Sequence, residues 1–342
     1  MIKLLEAFPI FKAGYRVIKL KGDASYRSYY RLKPLEGDEG SCVLMQWDPD
    51  LTTKSEEVSG DQAVREFPFA NIQCYLRSGG MNVPDILKQS ISEGMILLQD
   101  IGDTTMEKAI EASDHEGKRN LYRQAIENLV SMQVLGEKKP DPKCLAFGRS
   151  FDRKLYMWEF NHFIEYCIEE RKSVKLSDEE KKEMEAHFEQ ISCELDSIPK
   201  GFTHRDFQSR NLMLIDGKMF IIDFQDALMG PPQYDLVALL KDSYIHISEK
   251  ETEYLVEYFL DKRGEAGLPL EKDAFWRGFK LQTIQRKLKD AGRFVFIDRV
   301  KKNPSFLPHI PQSLEYVKRY LDSEPDLLTL KKLLARHVPE LA

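Results

Sequence analysis

One short stretch of the chain collects side chains that could do chemistry together. His204, Asp206 and Asn211 fall in the pattern His-x-Asp-x-x-x-x-Asn, and Asp223-Phe224 follows one apolar double run later. The runs 212–215 and 219–222 flank Asp216-Gly217, a two-residue hairpin signal. A hairpin there brings the polar loop and Asp223 to one end of a small ribbon. Two carboxylates and an amide in that register suit phosphoryl transfer. One carboxylate takes the proton of an attacking hydroxyl, while the amide and the second carboxylate hold magnesium against nucleotide phosphates. Taken singly, Asp206 reads as a loop cap and Asp223 as a strand-end residue. As a set around one hairpin, the chemical reading wins.

On that reading Asp206 is the catalytic residue, the proton acceptor. Asn211 and Asp223 are the metal ligands and belong to the cofactor-binding set, because hard oxygen donors suit Mg2+ and leave room for phosphate oxygens. His204 braces the loop, and Asp235 by its local pattern reads as a helix N-cap. Arg205 and Arg210 are open between phosphate or sugar contacts and structural pairing. Gly22-Asp23-Ala24-Ser25 is equally a plain hairpin turn or a shortened phosphate-covering loop, in which backbone amides and the Ser25 hydroxyl lie over the phosphates.

The elements that must position these groups differ along the chain. Strand patterns at 15–20, 26–32, 42–47, 86–89 and 95–99, with a helix over about 59–77, suggest a small sheet-based lobe over 1–99. Gln99-Asp100-Ile101-Gly102-Asp103 changes the texture and reads as a hinge. Helical patterns follow at 106–112, 119–135, 152–170 and 178–195, the last behind a Ser177 N-cap and three acidic residues. Further helices are expected at 236–244, 248–262, 273–289 and 314–321, with a short one after Asp326. Residues 100–342 thus read as a helical lobe interrupted by one catalytic hairpin.

At 342 residues the chain exceeds one comfortable core, in keeping with two lobes. With 42% hydrophobic and 31% charged residues it has an ordinary globular composition. A net charge of −6 offers no general attraction to nucleic acid or anionic membrane. Five scattered cysteines, an odd number without paired spacing, read as reduced thiols in a cytoplasmic protein. No apolar run approaches the roughly 18 residues of a membrane span, and residues 1–11 read as an amphipathic helix, not a signal peptide.

The segment from His204 to Asn211 with Asp223-Phe224 resembles the protein-kinase-like superfamily, in its aminoglycoside phosphotransferase branch. More narrowly, the run from Gly22 to Arg31, the segment His204–Asn211, Asp223-Phe224-Gln225-Asp226-Ala227 and the run from Gln285 to Phe294 resemble bacterial N-acetylmuramate/N-acetylglucosamine anomeric kinases of cell-wall recycling. These motifs span most of the chain. The resemblance implies an α+β, bilobal protein-kinase-like fold, with a small β-rich N-lobe and a larger helical C-lobe. It implies ATP and Mg2+ as cofactors, with nucleotide between the lobes and Gln99 and Ile101 near it. It also opens a second structural role for Asp235 beside the N-cap, as a brace of the catalytic loop. This branch places the Trp158-Glu159-Phe160 helix beside the acceptor, which makes Glu159 a candidate sugar contact. Arg286 and Lys289, three apart on one helix face, and Arg210 are further candidates, with a solvated charged face as the alternative reading. A phosphate-pairing lysine is expected in the strand Val43-Leu44-Met45-Gln46, and none is there, so the role of Glu66 as its partner is open.

Only eleven residues separate Asp223 from Asp235, and Gln225 stands where a regulated protein kinase has glycine. No activation segment fits, so a peptide acceptor is not expected. The expectation is an ATP-dependent kinase acting on a small sugar, as a cytoplasmic monomer without nucleic-acid or membrane partners. Aminoglycoside, choline or other small-alcohol phosphorylation, or a weakly active nucleotide-binding protein, are the alternatives.

Overall fold

The computed structural model describes residues 14–20, 27–35, 40–48 and 67–342. The helix expected at 1–11, the turn bearing Gly22, Asp23 and Ser25, and Glu66 lie outside them. By contact the chain divides into two compact units, Met1–Thr105 with Asn211–Asp226, and Met106–Arg210 with Ala227–Ala342. The sequence reading placed all of 100–342 in the second lobe, whereas the catalytic hairpin groups with the sheet-bearing unit.

Nine strands are named among the described residues: β1 Tyr15–Lys19, β2 Ser28–Pro34, β3 Cys42–Gln46, β4 Ile86–Ser90, β5 Met95–Gln99, β6 Gly201–Thr203, β7 Leu212–Ile215, β8 Lys218–Ile221 and β9 Leu228–Gly230. The helices are α1 Pro68–Ser78, α2 Met106–Glu111, α3 His115–Lys138, α4 Arg153–Phe163, α5 Asp178–Asp196, α6 Gln233–Leu240, α7 Glu249–Glu265, α8 Lys272–Lys301, α9 Ile310–Ser323 and α10 Leu328–Ala335.

In the smaller unit β1 to β5 form an antiparallel sheet in the order β1-β2-β3-β5-β4. The two-residue period sends Leu32, Cys42, Leu44, Met95 and Leu97 to one face, where they bury together with Tyr15 and Tyr30 against them. Helix α1 opens on Pro68, whose fixed φ suits a first turn, and buries Phe69, Ile72 and Leu76. The hairpin β7–β8 pairs Leu212 with Ile221 and Ile215 with Lys218. Its turn residues Asp216 and Gly217 take φ of +50° and +73°, as a two-residue turn of this handedness needs. Met213 and Phe220 bury on Ile101, with Ile215 and Ile222 at the edge of that cluster.

In the larger unit the helix starts are set by side-chain caps. Asp114, Asp152 and Ser248 each accept a hydrogen bond from the backbone three residues on, and Ser177 with Glu180 makes a full capping box. Two expectations change here. The helix expected over 152–170 is α4 followed by a π-helical stretch, Ile164–Glu170. Helix α8 runs past the expected end at 289 to Lys301. At Gly292, inside that extension, a Cβ would stand 2.8 Å from the Phe163 Cα and 2.9 Å from the His162 carbonyl oxygen. The glycine lets α8 pass tightly over α4; it does not end the helix.

Candidate active site

The larger unit holds Asp206 and the groups that fix it. Strand β6 delivers the chain into the loop at His204, and short pairing with β9 anchors its start. The backbone N–H groups of His204 and Arg205 both donate to the Asp235 carboxylate, at 2.6 and 2.9 Å. Burial pushes the Asp235 carboxyl up to about 6, against the pull of His204 and those two hydrogen bonds. Of the two structural roles open to Asp235, helix cap and loop brace, the second holds. Asp235 lies inside the first turn of α6 and braces the loop, because the helix begins two residues earlier, at Gln233. The other end of the loop is held by Asp242, which accepts from the Ser209 backbone at 3.0 Å and from its hydroxyl at 2.6 Å.

Asp206 is thereby presented with little freedom. Its own N–H donates to His204 Nδ1 at 3.2 Å, which leaves the other ring nitrogen to carry the proton in the neutral form. Arg286 on α8 donates to the Arg205 carbonyl at 2.7 Å and to Asp206 Oδ1 at 3.2 Å. The Arg286 side chain is 2% exposed and that of Asp206 35%, so the cation forms the floor and the carboxylate the accessible edge. Burial works against the charged carboxylate, but Arg286, Lys289 and Arg205 outweigh it and hold Asp206 below the usual carboxylate range.

Glu159 on α4 lies behind this loop, fully buried. It accepts from Arg205 Nη2 at 3.3 Å and from Gln285 Nε2 at 2.6 Å. Its carboxylate positions Arg205 and does not face solvent. Arg210 is also engaged, paired with Glu107 at 3.0 Å and lying 3.5 Å over the Tyr244 ring. Trp158, on the same helix as Glu159, is 40% exposed and stacks on His162 with ring centroids 5.4 Å apart.

The smaller unit holds the other pair. The Asn211 carbonyl accepts from the Ile222 N–H at 3.0 Å, which extends the β7–β8 ladder by one rung. Asn211 and Asp223 therefore emerge at the open end of one hairpin. Asp223 sits at φ +64°, a left-handed conformation that costs energy for a side-chain-bearing residue and is typical of functional positions. Gln225 Nε2 donates to Asp223 at 2.9 Å and to Asp226 at 3.1 Å. Phe224 is buried on Phe69 of α1, with ring centroids 4.8 Å apart. A carboxylate and an amide oxygen at one hairpin end suit Mg2+, which takes few protein ligands and fills its shell with phosphate and water oxygens.

Arg27, at the entrance to β2, had no role in the sequence reading. Burial pulls its guanidinium down, but Tyr29, Asp223 and Asp226 raise it above the ordinary value. It places a cation near Asp223, where β3 provides none. Its position directly after the glycine turn was the available signal. Tyr234 and Gln285 were also missed as individual contributors, since nothing local distinguishes them from core residues. Of the two hinge candidates, Gln99 donates its N–H to the Asp85 carbonyl at 2.8 Å and accepts from Asp85 N–H at 3.3 Å, while Ile101 lies in the apolar cluster beneath the hairpin.

Similarity to known proteins follows the same outline. The family described as phosphotransferase enzyme family matches residues 17–270. An N-acetylmuramate/N-acetylglucosamine kinase of Neisseria meningitidis is 30% identical over 319 residues, covering 92% of this chain and 89% of the relative. One of the same name from Pseudomonas aeruginosa is 28% identical over 322 residues, covering 93% and 88%. Among solved structures, an ADP-bound aminoglycoside phosphotransferase superposes with a TM-score of 0.57 at 14% identity, covering 92% of this chain and 96% of the other. A choline/ethanolamine kinase family protein from Mesorhizobium loti gives 0.58 at 14%, covering 99% and 97%. These structures establish the α+β, protein-kinase-like fold expected from the motifs. No helix among the described residues is long and apolar enough to cross a membrane. The chain is a kinase and belongs to the phosphotransferase enzyme family.

Proposed function

We propose that this kinase transfers the terminal phosphoryl group of ATP to the anomeric hydroxyl of N-acetylmuramate or N-acetylglucosamine, with Mg2+ as cofactor. The observation that carries the reading is the Asp206 carboxylate, fixed at its root, accessible at its tip and kept ionised by buried cations. Such a group can take the proton from an attacking hydroxyl. The anomeric hydroxyl is the most acidic of the sugar, so one carboxylate suffices as base. Magnesium, when bound, neutralises phosphate charge, and Asn211 and Asp223 would hold it. Arg27 adds positive charge on that side in place of the absent strand lysine.

The charges around Asp206 also choose between acceptors. Arg286, Lys289 and Arg205 all act on it. An aminoglycoside or amino-alcohol is cationic and meets like charge there, whereas a neutral or anionic sugar does not. The relatives named for N-acetylated sugars point the same way. The five cysteines are free thiols, in keeping with work in the cytoplasm, where ATP is supplied.

The test offers the enzyme ATP with free N-acetylglucosamine, free N-acetylmuramate and their methyl glycosides, in which the anomeric oxygen is blocked. Free sugars should give an acid-labile 1-phosphate and the glycosides nothing. Equal phosphorylation of sugar and glycoside would move the reaction to another hydroxyl.

A further inference from the structure

Two buried polar groups near Asp206 lack the partners that their burial calls for, and both belong to the larger unit. The Lys289 side chain, three residues after Arg286 on α8, is only 10% exposed. Among the described residues its ammonium meets Asp290 alone, at 3.4 Å. That carboxylate is already taken at 2.8 Å by Lys287, which also donates to the Ser243 hydroxyl. The Tyr234 hydroxyl, on α6, is buried and makes no hydrogen bond among the described residues. Its ring lies under the Arg286 guanidinium, 4.9 Å from the Arg286 Cζ.

The two groups act on one another, and Lys289 acts on Asp206 as well. Burial pushes the Tyr234 phenol up to about 12, so it stays a donor. Lys289 is held above its ordinary value despite its burial, with the Asp290 and Glu159 carboxylates acting on it, so it stays charged. A buried ammonium with a glancing contact and a buried phenol with none are costly unless a ligand completes them. Two donors and one positive charge match the two oxygens and single charge of a carboxylate. A sugar acetamido group offers one carbonyl oxygen and no charge.

We propose that Lys289 and Tyr234 form a carboxylate-reading subsite for the acceptor, which takes the acid substituent of an N-acetylated sugar acid and so favours N-acetylmuramate over its neutral counterpart. The proposal rests on the reading of Asp206 as the acceptor-side base.

Calorimetry on the full chain tests it, with N-acetylmuramate, N-acetylglucosamine and a non-hydrolysable ATP analogue as titrants, so that binding is read without turnover. Wild type should bind the acid sugar more tightly than the neutral one. Lys289→Met should raise Kd for the acid sugar by about 10- to 100-fold, the usual range for a lost charge-assisted contact. It should leave the neutral sugar and the nucleotide analogue within about twofold, and Lys289→Arg should restore most of the loss. Tyr234→Phe removes one oxygen that no group among the described residues uses, so its fold is kept, and Kd for the acid sugar should rise roughly 3- to 10-fold. Equal weakening of both sugars would assign the pair to the shared acetamido group, and weakening of the nucleotide analogue would assign it to phosphate. Either result overturns the proposal. If Lys289→Met fails to fold, the Tyr234→Phe titration decides alone, and an unchanged Kd overturns it. Wild type that binds both sugars with the expected contrast, yet makes no 1-phosphate, would leave the subsite standing and remove the anomeric reaction.

Discussion

Asp206 shows how one residue is given its chemistry by its neighbours. Burial alone would raise its pKa and protonate the base that catalysis needs. The cations Arg286, Lys289 and Arg205 reverse that sign and keep it ionised at lower pH. Asp206→Asn keeps the shape and removes the base, so turnover should fall by on the order of 10²- to 10⁴-fold with nucleotide affinity retained. Wild-type turnover in that variant would exclude Asp206 as base. Arg286→Met should act differently. With the nearest cation gone the Asp206 pKa rises, so activity is lost at higher pH on the acid side than in wild type. A pH profile of kcat/KM reads this shift directly, and an unmoved acid limb would show that Arg286 only shapes the loop.

Between elements, the contact that matters most for the acceptor side is the crossing of α4 and α8. It brings Glu159 to Gln285 and stands Arg286 beneath Asp206. Gly292 permits that crossing, because both atoms nearest an added Cβ are backbone and cannot swing away. Gly292→Ala should therefore cost about 1–3 kcal/mol in stability, as overpacking does elsewhere. That is enough to lower the melting temperature by several degrees in a protein this size. Removal of the exposed Ser177 cap of α5 should cost only about 1 kcal/mol, which makes Ser177→Ala a useful control. A melting temperature unchanged by Gly292→Ala would mean that the helices separate without penalty.

At the scale of the whole molecule, the candidate groups are divided between two compact units. Asn211, Asp223 and Arg27 belong to one, and Asp206, Arg286, Lys289 and Tyr234 to the other. The proposed division of labour predicts separable defects. Asp223→Asn should raise the magnesium concentration needed for activity, and Arg27→Met should raise Kd for the ATP analogue, with acceptor affinity spared in both. A titration in which Asp223→Asn leaves the magnesium requirement unchanged would remove it from the ligand set. The same division explains what could be read early. The local spacing His-x-Asp-x-x-x-x-Asn, the Asp216-Gly217 turn and the period-two strands are short-range facts, and they determined the phosphoryl-transfer chemistry, the hairpin and the class of fold. Side-chain pairing across long chain separations is not carried by any local pattern. Only the tertiary structure decided that Asp235 takes two loop N–H groups from inside α6 and does not cap it, that Glu159 and Arg210 are engaged by protein groups, that α8 continues through Gly292, and that Lys289 and Tyr234 stand buried with so few partners among the described residues. The physical reason is that burial and charge compensation depend on which distant residues arrive beside a group, and these contacts join residues from about 30 to more than 100 positions apart.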